Sequence, residues 1–390
     1  MDNQVAEVPG LYGSIRMEET VLQRIWNETA FQTDELITED GGKLEILNPG
    51  VWNLAKEGPD FEGAVLRISG RKVVGDVEIH FDSKDWNKHQ HHHDPNFNHV
   101  VLHVCLFPPE TPSFMVATAE AKLIPQLSLL SYLYQSLEEY NEEWAMASMS
   151  SGEQRLTSNS LISGFKKEIF SLARLRWNEK RRFARSRIKS IGWEQACHQW
   201  FVEILGYPRN KMAMHGIANR YKLEDWRCGL NPVALFEEWK NWKNRGIRPA
   251  NHPRTRLQQY GSMIAGMPNW PEKLRKLEVT QEASAESTSR RELQLFPLRK
   301  FWHLEIIGGN FGPSKSDTLM VDCGLPLWSA FHEIDCFGVW FHWPAGDFPM
   351  ELLNTARRAG LKKKGESMGN GIPQAMIQNF LLDRERICKH

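Results

Sequence analysis

The residues best suited to chemistry lie between Asn48 and His103. Gly58-Pro59-Asp60-Phe61 stands just before an apolar stretch, and further on Asp76, Glu78 and His80 alternate with Val77, Ile79 and Phe81. A period of two predicts a strand with Asp76, Glu78 and His80 on one face and the apolar trio on the other. If GAVLRIS and KVVGDVEIHF pair as a hairpin, Asp60 and Glu78 come to the same end of the sheet. Two carboxylates meeting there suit one hard cation, Mg²⁺ or Mn²⁺, which keeps water positions open for a phosphate. His80 is then placed to act as a general base or to orient the attacking water, since imidazole titrates in the useful range.

A second group surrounds the first. Ser83, Asp85 and Trp86 lead into His89, His91, His92, His93 and Asp94, and then His99 and His103. The run NHVVLHVCLF predicts a buried strand, with Val100, Leu102, Val104 and Leu106 on one face and Val101, His103 and Cys105 on the other. Beside the strand that bears His80, it would put two imidazoles together. Histidines and aspartates at this density can ligate Zn²⁺, Mn²⁺ or Fe²⁺. The plainer accounts are a solvated loop for HQHHHD and a core histidine bonded to Asp76 or Asp85 for His103.

These residues need elements to hold them. Residues 17–31 put Val21, Leu22, Ile25 and Trp26 on one helical face, with acidic residues in the first turn, where the helix dipole favours them. KLEILNPG predicts a short strand, Ser69-Gly70-Arg71 a tight hairpin turn, and SFMVATA one more strand. From Ile124 to Trp144 the pattern becomes helical. ASMSSGEQRLTSNS reads as a linker and 279–292 as a second polar loop or hinge, with helices between and beyond them. The expected architecture is α+β: a mixed sheet with flanking helices over 1–146, then a mostly α-helical domain over 160–390.

Composition narrows the field. The chain has 390 residues, with 48 Lys+Arg against 48 Asp+Glu, so no global field advertises a polyanionic partner. With 15 Trp and 19 Phe it can bury a large core, which excludes disorder of the whole. There is no apolar run of about 18 residues, which argues against a membrane-spanning helix. MDNQVAEVPGLYGS lacks the basic start and apolar run of a secretory signal. The six cysteines stand far apart with no C-x-x-C pair, as expected of reduced thiols in a cytoplasm. No Walker loop, no G-x-G-x-x-G after a strand and no G-x-S-x-G elbow is present, leaving nucleoside triphosphatase, Rossmann and serine hydrolase chemistry without support.

Charge is nonetheless uneven. Residues 1–60 hold twelve acidic and four basic side chains, whereas residues 166–189 hold ten basic and two acidic. In the basic stretch Phe165, Ile169, Leu172, Leu175 and Phe183 recur at helical spacing, which predicts an amphipathic helix with a positive face. Arg174, Arg181 and Arg185 on that face could follow a phosphate backbone by counterion release, or dock on acidic neighbours. In RPANHPRTRLQQ, Arg248 and Arg256 could present guanidiniums to phosphate, or Asn251 could cap a helix start that they tie down. The tryptophans of WKNWKNRG read as core before interface or base-stacking platform.

Two resemblances follow from these residues. Pro59-Asp60 and then Glu78-Ile79-His80 resemble the motif of the PD-(D/E)xK nuclease superfamily, with histidine in the place of lysine. That resemblance implies a restriction-endonuclease-like core, Asp60 and Glu78 as metal ligands, His80 in the lysine position, and Glu19 as the extra helical acid. The longer pattern Pro49-Gly50, Asn53, Gly58 to Phe61, Val77 to His80, Ser83, Asp85-Trp86, His89, His91, Asp94 and Leu102 to Val104 looks like the signature of DUF family 2851. LGYPRNK and RPANHPRTRLQQYG extend the likeness downstream. That family implies no activity. The sequence therefore leaves three expectations: a Mg²⁺- or Mn²⁺-dependent nuclease acting on DNA or RNA, a non-catalytic nucleic-acid or protein-binding module on a decayed nuclease core, and a histidine-rich transition-metal hydrolase.

Overall fold

The structure, a computed structural model, describes residues 5–10, 13–54, 57–109, 114–134, 136–151, 159–207, 209–239, 242, 244, 247–280, 289–361 and 367–387. The linker at 152–158, the polar stretch at 281–288, much of WKNWKNRG and Cys388 lie outside the described residues. The chain forms two compact units, residues 1–141 with 385–390, and residues 142–384.

The first unit starts with an antiparallel ribbon of β1 (Val5–Gly10) and β2 (Gly13–Glu18). Helix α1 (Glu19–Asn27) follows and buries Val21, Leu22, Ile25 and Trp26, the face its spacing predicts. Burying one such side chain contributes roughly 1.5–3 kcal/mol, which is what holds so short a helix in place. The strands then run β3 (Leu36–Ile37), β4 (Lys43–Asn48), β5 (Val51–Trp52), β6 (Phe61–Ile68) and β7 (Arg71–His80). A short helix α2 (Asp85–Lys88) precedes β8 (Val100–Cys105), β9 (Met115–Ala117) and β10 (Leu123–Ser128). The sheet order is β3-β4-β6-β7-β8-β10-β9, with β5 added to β6. β4, β6 and β7 are antiparallel neighbours, whereas β7–β8 and β8–β10 are parallel, so the sheet is mixed.

Two local features place the site. Ser69 (φ 49°) and Gly70 (φ 82°) join β6 to β7 as the two-residue turn of left-handed residues that matches strand twist. Gly75 lets β8 approach β7: a Cβ there would lie 2.4 Å from Val101 Cγ1 and 2.5 Å from the His99 carbonyl oxygen. Past this close approach Glu78 stands opposite His103, and His80 opposite Cys105.

One expectation is corrected. Leu123–Ser128 forms strand β10, parallel to β8 and antiparallel to β9, and not the start of a helix. A short apolar run that is buried between neighbours has no periodicity by which to tell strand from helix. The following helix, α3 (Leu137–Ser151), begins only at Leu137.

The second unit is helical, led by α4 (Asn159–Ile191) and α5 (Trp193–Leu205), with Trp177, Trp270, Trp302, Trp340 and Trp343 among its fully buried side chains. On α4 the buried stripe is Phe165, Ile169, Leu172, Ala173, Trp177 and Ala184. Leu175 is off that stripe at 45% exposed, because the contact face follows Trp177. No described helix is long and apolar enough to cross a membrane. Among the described residues Cys105, Cys197, Cys228 and Cys323 form no disulfide.

Candidate metal centre

Three carboxyls from three elements of the first unit gather on one side of β7. Glu19 opens α1, Asp60 precedes β6, and Glu78 lies near the end of β7. The strand pairing that sets Phe61 opposite Val77 brings Asp60 to Glu78. Asp60 N–H donates to Glu78 Oε2 at 3.0 Å, and Ile79 N–H donates to Asp60 Oδ2 at 2.9 Å. Gln23 Nε2, one turn along α1, donates to Asp60 Oδ1 at 2.5 Å. Glu19 Oε1 is buried and has no hydrogen-bond partner among the described residues.

Burial so close together disfavours the ionised forms. Burial, then the charges of Asp60, Glu78 and Asp85, push Glu19 up to about 9. Burial and Glu78 raise Asp60 well above the usual carboxylate range, against the lowering effect of the Ile79 amide. Burial raises Glu78 to about 8 although the Asp60 amide opposes it.

The histidines converge on the other side of Glu78. His80 Nε2 lies 3.0 Å from His89 Nδ1, 3.3 Å from His91 Nε2 and 3.4 Å from Glu78 Oε1. His91 Nε2 is itself 3.3 Å from Glu78 Oε1. His89 caps α2 and His91 opens the next turn; Gln90 between them adopts a left-handed conformation (φ 61°), which swings both rings towards His80. Behind His80, its Nδ1 lies 2.8 Å from His103 Nε2. His103 Nδ1 lies 3.1 Å from Gln126 Oε1, which also accepts from Ser83 Oγ at 2.5 Å. Trp86, fully buried, lies against both His91 and His103 at ring-centroid distances of 5.4 and 5.2 Å.

Burial disfavours the charged form of all four imidazoles. Burial, then the other histidines, pushes His80 well below its ordinary range. Burial lowers His89, His91 (to about 4) and His103 (to about 3), although Asp94 opposes it at His91 and the Gln126 bond at His103. His80 therefore offers a lone pair, not the positive charge of a lysine.

The remaining candidates are placed differently. Asp76 accepts from the Gly63 amide at 3.0 Å, at the bulge in β6. Asp85 accepts from the Asp82 amide, and Asp94 from the Asn96 amide, so both shape the loop that carries His89 and His91. The rings of His92 and His93 lie tilted against each other, with centroids 3.9 Å apart. Gln23 and Gln126 escaped the sequence reading. Gln23 sits at α1 spacing from Glu19, a signal that was available, whereas Gln126 was hidden by the helical reading of its strand.

In the second unit α4 finds acidic partners. Arg174 pairs with Asp335 and lies 3.8 Å over the Phe337 ring; Arg176 pairs with Glu142, Lys180 with Asp322 and Arg187 with Glu203. Arg181 is half-buried, whereas Arg185 and Arg248 are exposed. Arg256 is 5% exposed and donates to Asn251 and Gln259, which keeps it within the fold.

Fold and site together define an α+β protein with a buried carboxylate–histidine centre on a mixed sheet. The chain belongs to the family described as "Protein of unknown function (DUF2851)", which matches residues 19–229 and so takes in every element of that centre. No curated protein and no solved structure matches the chain.

Proposed function

We propose that the first unit is a metal-dependent phosphodiesterase core acting on nucleic acid, with Mg²⁺ or Mn²⁺ held by Asp60 and Glu78 and faced by Glu19. The observation that carries this reading is the burial of these three carboxyls against one another, with Glu19 Oε1 lacking a hydrogen-bond partner among the described residues. Such a group is stable as carboxylates when a cation neutralises it, and the donor set of hard oxygens fits Mg²⁺ or Mn²⁺. When bound, the ion supplies Lewis acidity to a phosphoryl oxygen and acidity to a coordinated water. The chain's own residues orient the ligands: Gln23 and the Ile79 amide hold Asp60, and the Asp60 amide holds Glu78. Exposed Arg185 and Arg248 are the cations of the sequence reading left to meet phosphates. The reading takes its reaction class from the resemblance of Pro59-Asp60 and Glu78-Ile79-His80 to the nuclease motif.

One observation favours a second reading. A neutral His80 lacks the charge that lysine would bring to the transition state, which favours a binding module without catalysis. Incubation of the full chain with mixed DNA and RNA and Mn²⁺, beside Asp60→Asn and Glu78→Gln, separates the two. The phosphodiesterase reading expects cleavage that falls by at least about 100-fold in both variants. Binding without cleavage supports the module, and cleavage that survives both substitutions removes these residues from the chemistry.

A further inference from the structure

We propose that His80, His89 and His91 form a three-imidazole site for a borderline transition-metal ion of the Zn²⁺ class, with Glu78 Oε1 beside His80 and His91. This site uses nitrogen donors outside the carboxylate group, and it stands whether or not the protein cleaves phosphodiesters.

The first argument is metric. His80 Nε2 lies 3.0 Å from His89 Nδ1 and 3.3 Å from His91 Nε2, and one nitrogen from each of the three rings falls within 4.8 Å of the other two. Glu78 Oε1 lies 3.4 Å from His80 and 3.3 Å from His91 but outside the group that includes His89. Ligand bonds of about 2.0–2.1 Å in a tetrahedron place donors about 3.3–3.4 Å apart. Adjacent ligands of an octahedral Mg²⁺ at about 2.0–2.1 Å would lie only about 2.9 Å apart. The 3.3 Å between His80 and His91 matches the tetrahedral spacing. Three imidazoles are also donors that Mg²⁺ does not favour and Zn²⁺ does.

The second argument counts protons. Gln126 Oε1 can only accept, so His103 Nδ1 carries the hydrogen and His103 Nε2 has the lone pair. His80 Nδ1 must then donate to His103 Nε2, which leaves His80 Nε2 bare. That bare nitrogen faces two further ring nitrogens and a carboxylate oxygen. Neutral His89 and His91 can each donate one hydrogen bond, to His80 Nε2 and to Glu78 Oε1, whereas one cation takes the lone pairs of all three rings at once and displaces those two protons. The relay behind His80, through His103 to Gln126 and Ser83, is the arrangement that fixes the tautomer of a metal-bound histidine.

The third argument is mechanical. His80 is set by the β7–β8 ladder and His91 by contact with Phe97, 3.8 Å between ring centroids, so two of the donors are already ordered. His89 is half-buried and is the donor nearest solvent, which gives an ion a way in. Glu78 is common to both groups, with Oε2 towards the Asp60 amide and Oε1 towards the histidines.

The test uses the full chain, stripped with a chelator, desalted and loaded with Zn²⁺ or Co²⁺ alone. Metal per chain is measured after gel filtration, the visible spectrum of the Co²⁺ form is recorded, and both are repeated on His89→Ala and on Asp60→Asn. The site requires close to one Zn²⁺ per chain and the intense visible absorption of four-coordinate Co²⁺. It further requires an affinity loss above about tenfold in His89→Ala, and unchanged stoichiometry in Asp60→Asn. Sub-stoichiometric Zn²⁺ in the wild type, a weak six-coordinate Co²⁺ spectrum, or a folded His89→Ala that binds as tightly as wild type overturns it. Should His89→Ala fail to fold, the wild-type Co²⁺ spectrum decides alone. Zn²⁺ retained by a protein that cleaves no nucleic acid keeps this site and removes only the hydrolytic reading.

Discussion

His80 Nδ1 and His103 Nε2 lie 2.8 Å apart across two parallel strands, at the only kind of contact that lets one neutral imidazole fix the tautomer of another. That contact ties the chemistry of the histidine group to the register of β7 and β8, and through His103 to Gln126 on β10.

The relay should therefore be felt at the metal. Gln126→Leu removes the acceptor for His103 Nδ1 while keeping side-chain bulk, and should lower Zn²⁺ affinity by about 10–100-fold with circular dichroism unchanged. A competition titration with a chromophoric chelator reads the loss. Equal affinity in the variant would show that the relay does not hold His80.

Gly75 sets the approach of those strands. Gly75→Ala should cost about 1–3 kcal/mol in urea unfolding, because the new methyl meets backbone at the His99 carbonyl and not merely a flexible side chain. Zn²⁺ affinity should fall with it. A variant as stable as wild type would mean that β8 can shift without consequence.

In the helical unit, Glu203 controls acid stability. Burial pushes its carboxyl up, but Arg187 and Lys211, at 2.8 and 3.3 Å, outweigh burial and hold it well below the usual carboxylate range. A folded pKa below the unfolded value of about 4.3 gives stability that is complete above that pH and is lost as pH falls towards the folded value. Glu203→Gln should cost about 1.5–3 kcal/mol at pH 7, by removing the buried carboxylate that Arg187, Lys211 and His215 face, and less as pH falls below about 4. Urea melts between pH 3 and pH 7 should show the variant's deficit shrinking with acid; a constant deficit contradicts the assignment.

The arginines divide by burial. If the chain binds nucleic acid, Arg185→Ala and Arg248→Ala should each weaken binding and lower the slope of log affinity against log salt by about 1. Arg256→Ala should lower thermal stability instead, since its guanidinium serves Asn251 and Gln259. Loss of salt slope in Arg256→Ala without loss of stability would reverse that division.

Much of the scaffold was legible because it rests on periodicity. Val21, Leu22, Ile25 and Trp26 announced α1, Ser69-Gly70 announced the hairpin, and the alternation around Glu78 and His103 announced two strands whose pairing set their imidazoles together. What stayed hidden depends on neighbours or on single backbone angles. Leu123–Ser128 is a strand because β8 and β9 flank it, so Gln126 could not be assigned to the site. The left-handed turn at Gln90 joins His89 to His91, and no spacing rule reports it. The positive face of α4 looked free in sequence because Asp335, Asp322 and Glu203, which neutralise it, lie far along the chain.

Glu78 is the residue at which both metal readings meet, so locating ions around it is the most direct test. Crystals grown with Zn²⁺ and Mn²⁺ and measured at the absorption edge of each metal should show zinc at about 2.0–2.1 Å from His80 Nε2, His89 Nδ1 and His91 Nε2. Manganese should lie within about 2.3 Å of carboxylate oxygens of Asp60 and Glu78. Anomalous maps with no peak within bonding distance of Glu78, from crystals in which its carboxylate keeps only the protein contacts described above, would contradict the account.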